Sequence, residues 1–321
     1  MPKQQPQKQQ SIVTVVLAFA ANALVAIAKT VAAVLTGSAS MVAESAHSWA
    51  DAGNEVFLLV AERRSARKSD AAHPLGYGRE AYVWSMFAAF GLFAVGAAVS
   101  IMHGVQELLA PERASDYTIA YIVLAVSAVL EGISFAQAYR QAHGGAARRG
   151  RNTLDHVLQS SNPTLRAVFA EDAAALIGLA IAFCGILLHQ LTGLAAFDAA
   201  GSVLVGVLLG IVAVVLMDRN RRFLIGQAVD HETRDAALAT LLKREDIERV
   251  TYLHLEFVGP SRLFIVAAVD LIGDAAESSV AHTLRAIELD MEREPSVAEA
   301  ILTPALPEDA ALIPDRGHEP R

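Results

Sequence analysis

Apolar residues fill the first two thirds of the chain in long blocks, at about 12–35, 39–61, 81–109, 117–140, 164–190 and 196–217, with short polar stretches between them. Each block is long enough to cross roughly 30 Å of hydrocarbon at about 1.5 Å per residue, so the pattern predicts six membrane-spanning helices. Beyond Asp230 the period changes. Thr233 to Lys243 carries Leu and Ala at helical spacing, and Val250 to Val258 and Leu263 to Leu271 are β-rich runs around Gly259-Pro260. Ser278 to Glu294 is an amphipathic helix and Ala298 to Thr303 a short last strand. The order α-β-β-α-β predicts a small ferredoxin-like α+β domain. The expected organisation is a flexible lead over 1–10, a six-helix membrane domain over 11–225, an α+β domain over 226–303 and a disordered tail over 304–321.

Composition supports the membrane reading. The chain is 54% hydrophobic and only 19% charged, which excludes a disordered chain and a coiled coil. Its single cysteine, Cys184, lies inside an apolar run, so no disulfide framework exists. The run from Ile12 is too long for the apolar region of a signal peptide and reads as a first span. The formal charge of -8 is unevenly spread. From Gly226 onward there are 19 acidic and 9 basic residues, which leaves the part before it at +2. An acidic last third argues against nucleic acid and anionic lipid as partners.

Basic residues fall in alternate loops: Arg63, Arg64, Arg67, Lys68 and Arg79, then Arg140, Arg148, Arg149 and Arg151, then Arg219, Arg221 and Arg222. The positive-inside rule puts these loops and both termini in the cytoplasm, as for a protein of a bacterial-type inner or plasma membrane.

Ionisable groups inside a span cost roughly 2.5–3.5 kcal/mol each on insertion scales, so they mark function by default. The second block reads Glu44-Ser-Ala-His47-Ser-Trp-Ala-Asp51 and places Glu44, His47 and Asp51 on one helix face. An imidazole and a carboxylate one turn apart suit a divalent metal ion. The fifth block holds Glu171-Asp172. Neighbours lie about 100° apart around a helix, and with Gly178 and Gly185 on the following turns Asp172 takes the inward role and Glu171 a supporting one. His47, Asp51 and Asp172 then supply three ligands, and the fourth falls to Glu171, Asn22 or water. Glu131, His103 and His189 read as structural hydrogen-bonding groups. His73, near Asp70, is a candidate for a second metal site, and His231, His254 and His282 for a regulatory one.

At this point the residues resemble the cation diffusion facilitator family. The matching stretches are Leu35-Thr-Gly-Ser-Ala-Ser-Met-Val-Ala-Glu-Ser-Ala-His47-Ser-Trp-Ala-Asp51, His73-Pro-Leu-Gly-Tyr-Gly-Arg79 and Asp198-Ala-Ala-Gly-Ser-Val-Leu-Val-Gly206. The resemblance implies a homodimeric six-span exporter of divalent metal, exchanging it for protons, with a cytoplasmic domain of the derived order and no prosthetic group. It also implies a His-x-x-x-Asp pair from the fifth span, where this chain has Val168 in place of the histidine. The stretch from Leu154 to Ala182, with Phe169-Ala-Glu171-Asp172-Ala-Ala-Ala-Leu-Ile-Gly178 at its centre, resembles the branch of the family that includes the mitochondrial zinc exporter of animals, which favours zinc.

A histidine beside two carboxylates binds metal when neutral and protons otherwise, so metal and proton compete for one site. An oxygen-rich ligand set keeps manganese, iron and cobalt as alternatives. Two other classes compete with a carrier: an intramembrane metalloenzyme and a metal sensor. No His-Glu-x-x-His and no Gly-x-Ser-x-Gly stands in the sequence, which counts against the enzyme.

Overall fold

The computed structural model describes residues 12–110, 117–147 and 150–314. The lead over 1–10, the loop residues Arg113, Arg148 and Arg149, and residues 315–321 lie outside the described residues. The described residues divide into two compact units, one holding 12–64 and Glu80–Arg221, the other Ser65–Arg79 and 222–314.

The first unit is helical. Its elements are α1 (Ile12–Thr36), α2 (Ala39–Ser65), α3 (Glu80–Ala88), α4 (Ala94–Leu109), α5 (Tyr117–Ala147), α6 (Thr153–Gln159), α7 (Pro163–Thr192) and α8 (Ala196–Leu224). A π-helical turn over Ala89–Phe93 joins α3 to α4, so the two run as one rod. Five helices of the described residues are long and apolar enough to cross a membrane: Phe19–Thr36, Glu80–Leu109, Tyr117–Ala147, Pro163–Thr192 and Ala196–Leu224. The chain is thus an integral membrane protein. The sixth expected span is α2, which has the length, 27 residues, but too many polar side chains to qualify by composition. Those polar groups face inward: Ser40, Glu44, Ser45, His47, Ser48, Asp51 and Asn54 are all buried. Helix α6 is an element the sequence pattern missed, between the fourth and fifth apolar blocks. Its His156 packs so closely on α5 that a Cβ at Gly145 would lie 2.5 Å from the imidazole.

Local sequence explains the helix ends. Asn162 caps α7 by accepting from the backbone N–H groups of Thr164 and Leu165, with Pro163 in the first turn, and Gly193 closes it in the left-handed conformation at φ 73°. The start of α2 is capped from another helix. Asp198, in the first turn of α8, accepts from the backbone N–H of Ala39 at 2.8 Å, that of Ser40 at 3.1 Å and the Ser38 hydroxyl at 3.0 Å. The Asp198-Ala-Ala-Gly stretch therefore pins two spans together, and an added Cβ on Gly201 would fall 2.5 Å from the Ser40 hydroxyl.

The second unit contains α9 (His231–Leu242), β1 (Ile247–Gly259), β2 (Arg262–Leu271), α10 (Glu277–Met291) and β3 (Val297–Pro304), in the expected order. The sheet runs β1-β2-β3, with β1 antiparallel to β2 and β3 parallel to it. Leu238 and Leu241 of α9 and Leu284 and Ile287 of α10 pack on Val250, Leu255, Ile265, Ala267 and Val269. The loop Ser65–Arg79 belongs to this unit. A Cβ on Gly78 would lie 2.5 Å from the Val258 carbonyl oxygen and 2.8 Å from the Gly259 Cα, so backbone meets backbone there. Arg79 adds an ion pair to Glu256 of β1.

The expected disordered tail is partly ordered. Ala305 N–H donates to Val269, Leu312 N–H donates to Val250 at 2.7 Å, and the Arg249 guanidinium donates to the Leu306, Pro307 and Asp309 carbonyls. Prolines and mixed charge concealed a segment held by backbone hydrogen bonds and by Leu312 against the core.

Candidate functional site

Helix α2 presents His47 and Asp51 one turn apart, with the imidazole Nε2 3.1 Å from the Asp51 Oδ2. The two are close without the alignment of a hydrogen bond, and both ring nitrogens of His47, the Asp51 Oδ1 and the Ser48 hydroxyl are buried without a hydrogen-bond partner. A buried polar atom left unpaired costs about 1–3 kcal/mol. Several on one face are the mark of a site whose partner is an exchangeable ion or water rather than protein.

Across from α2, α7 supplies Glu171 and Asp172, and the structure divides their roles differently from the sequence reading. Glu171 turns to α2: its Oε2 accepts from the Asn54 amide at 2.6 Å, and its carboxyl group interacts with that of Asp51. Asp172 turns to α5, where its Oδ2 accepts from the Ser134 hydroxyl at 2.9 Å. Glu171 is therefore the more central of the two, because adjacent positions diverge around the helix and only one can face α2. Among the described residues no three His, Cys, Asp or Glu side chains converge as a metal-holding group. Histidine and carboxylate side chains are nevertheless gathered on facing helices.

The Asn22 amide donates to Glu55 Oε1 at 3.4 Å, one turn beyond Asp51 on α2, and Glu55 lies within electrostatic reach of Glu171 and Asp172. Asn54, three residues after Asp51, donates to Glu171 and was legible as a member of the same face. Lys29 of α1 is a fully buried cation. The structure pairs it with Glu44 at 2.9 Å, with both side chains fully buried. Glu131 of α5 lies within electrostatic reach of Lys29, Asp51 and Asp172.

His73 lies in the Ser65–Arg79 loop, where Asp70 is already committed. Asp70 Oδ1 accepts from the backbone N–H of Ala72 and His73 and Oδ2 from the Tyr77 hydroxyl at 2.7 Å. The Tyr77 hydroxyl, followed by the His73 N–H, holds the Asp70 carboxyl below the usual carboxylate range. The His73 ring stacks 4.1 Å from Tyr77, with the Arg67 guanidinium 4.2 Å from the same ring. These contacts describe a braced loop.

Residues 15–225 match the model of the cation efflux transmembrane domain. The chain belongs to the cation efflux family. Its similarity to known members is substantial: 36% identity over 233 residues with metal tolerance protein C4 of Arabidopsis thaliana, covering 73% of this chain and 51% of that protein. It is 35% identical over 260 residues to the mitochondrial proton-coupled zinc antiporter SLC30A9 of Xenopus laevis, and 31% over 259 residues to that of Homo sapiens. Each of those matches covers 81% of this chain and 46% of the relative. The chain thus spans about half the length of the curated relatives it matches. The resemblance to the SLC30A9 branch noted in the sequence holds for this cation efflux protein.

Proposed function

We propose that this cation efflux protein exports a divalent metal ion, with zinc as its main substrate, in exchange for protons by alternating access. The observation that carries the reading is the seam between α2 and α7: a buried imidazole with both nitrogens unpartnered, beside Asp51 and opposite Glu171. Apposed buried carboxylates repel unless a positive charge sits between them. A proton and a metal ion both supply one, and the two therefore compete for the same place. His47 adds a borderline nitrogen donor suited to zinc.

In this reading His47 and Asp51 of α2 and Glu171 and Asp172 of α7 hold the ion, α2 is the sixth span, and Val168 leaves the family histidine's place to Glu171. The protein works as a homodimer, with its termini, its basic loops and the α+β domain in the cytoplasm. Three carboxylates with one imidazole form a harder site than two histidines and two carboxylates, so manganese is the substrate to compare with zinc.

The test is metal flux into proteoliposomes under an imposed pH gradient, with zinc, manganese, iron and cobalt compared. Gradient-driven zinc flux that is lost in Asp51→Ala supports the reading. Flux of no metal by the wild-type protein overturns it, and undiminished flux in the variant overturns the site.

A further inference from the structure

Glu44 sits three residues before His47 and seven before Asp51, on the face of α2 that carries the site. Gly178 lies seven residues after Glu171, on the corresponding face of α7. The structure brings these two positions together: a Cβ at Gly178 would lie 2.6 Å from Glu44 Oε1, so the absent side chain makes room for the carboxylate. Glu44 therefore points into the same seam as His47, Asp51 and Glu171, about two helical turns along it. Its Oε1 is fully buried with no hydrogen-bond partner, and its Oε2 is held by Lys29 Nζ from α1 at 2.9 Å. Glu44 is one turn from His47 on α2 and acts on it electrostatically, and the ammonium holds one of its carboxylate oxygens.

We infer that Lys29 is a specificity-determining residue: by holding Glu44 it keeps one further carboxylate out of the ion's coordination shell and cancels its charge, so that the site favours an ion with mixed nitrogen and oxygen ligation over a hard, oxygen-seeking one. This rests on the α2–α7 seam being the transport site. Without Lys29, Glu44 adds an oxygen ligand and a negative charge to the seam. The charge strengthens binding of every divalent ion, and the extra oxygen moves the preference from zinc toward manganese. A unit charge several ångströms away in a partly screened interior changes binding by about tenfold.

The experiment is equilibrium binding of zinc and of manganese to the full-length protein in detergent, with flux in proteoliposomes beside it. Lys29→Met raises manganese affinity relative to zinc by about tenfold, Lys29→Arg keeps the wild-type ratio, and Lys29→Met combined with Glu44→Gln restores it. Glu44→Gln alone leaves the ammonium uncompensated and weakens both ions about tenfold with their ratio unchanged, which gives a reading even if Lys29→Met does not fold. An unchanged ratio in folded Lys29→Met, or wild-type affinities in Glu44→Gln, overturns the inference and leaves the transport site standing. A wild-type protein that binds neither ion overturns both.

Discussion

The helical unit and the α+β unit differ, partly inside out, in what they bury and what they expose. In the first, small and polar residues such as Ala26, Ala43, Ser40, Ser202, Glu44 and His47 are buried beside apolar ones such as Leu209 and Ile186, while Leu24, Val34, Ile133, Leu204 and Ile211 are exposed. In the second, Leu238, Leu241, Ile265 and Ile287 are buried under an acidic surface. The physical reason is the solvent. Hydrocarbon is as apolar as leucine, so helices in lipid gain from close approach of small residues and from interhelical hydrogen bonds. A domain in water gains by hiding leucine and isoleucine, at about 25 cal/mol per Å² of apolar surface. The helical unit therefore holds buried polar and ionisable groups beside its apolar clusters, and the interior of the α+β unit is apolar.

The largest expected effect tests the polar interior. Asp51→Ala and Asp172→Ala each lower metal flux by about 100-fold or more, and Asn22→Ala, whose amide pairs with Glu55, stays near wild type in the same proteoliposome assay. An Asn22 effect as large as that of Asp51 would place the site one turn along α2.

Next comes a matched pair of leucines. Leu241→Ala, at 2% exposure, costs the α+β unit about 2–5 kcal/mol, read as lost hydrogen-exchange protection in β1 and β2. Leu204→Ala, at 55% exposure in α8, changes protection of the helical unit by less than about 0.5 kcal/mol. Equal costs would contradict the inside-out contrast.

Asp198→Ala removes the acceptor for three donors at the start of α2 and costs about 3 kcal/mol, measured as a lower melting temperature, with Asp198→Asn between variant and wild type. Gly78→Ala forces a Cβ onto the Val258 carbonyl and costs about 1–3 kcal/mol. Faster exchange confined to the Ser65–Arg79 loop and β1 is the expected signature, and a change in α9 or α10 alone would count against it.

The smallest effect concerns pH. Because Asp70 has a folded pKa below its unfolded value, the bracing it gives its loop is present above the ordinary carboxylate range, near pH 4, and fades as pH falls through the lower folded value. Tyr77→Phe moves the Asp70 titration, followed by NMR, upward toward the ordinary value. No movement would mean the backbone N–H groups alone set it.

Much of this was legible in the sequence because a span and a strand each write their period directly. The apolar blocks located the starts of α1, α2, the α3–α4 rod, α5, α7 and α8 to within a residue, although α5 and α8 run on past the expected ends at 140 and 217 to Ala147 and Leu224, and the change of period after Asp230 announced the α-β-β-α-β order. Spacing also put Glu44, His47 and Asp51 on one face. Periodicity along one helix, however, says nothing of what stands opposite. Which of Glu171 and Asp172 meets α2, that Asn54 pairs with Glu171 and Asn22 with Glu55, that Lys29 holds Glu44, and that Asp198 caps a helix about 160 positions away were decided by the rotation of each helix against its neighbours. The ordering of residues 305–312 was likewise hidden, since backbone hydrogen bonds carry no side-chain signature. Sequence determined which residues enter the membrane and what chemistry they carry; tertiary packing decided their partners, because a buried charge takes whichever opposite charge or donor the fold brings within reach.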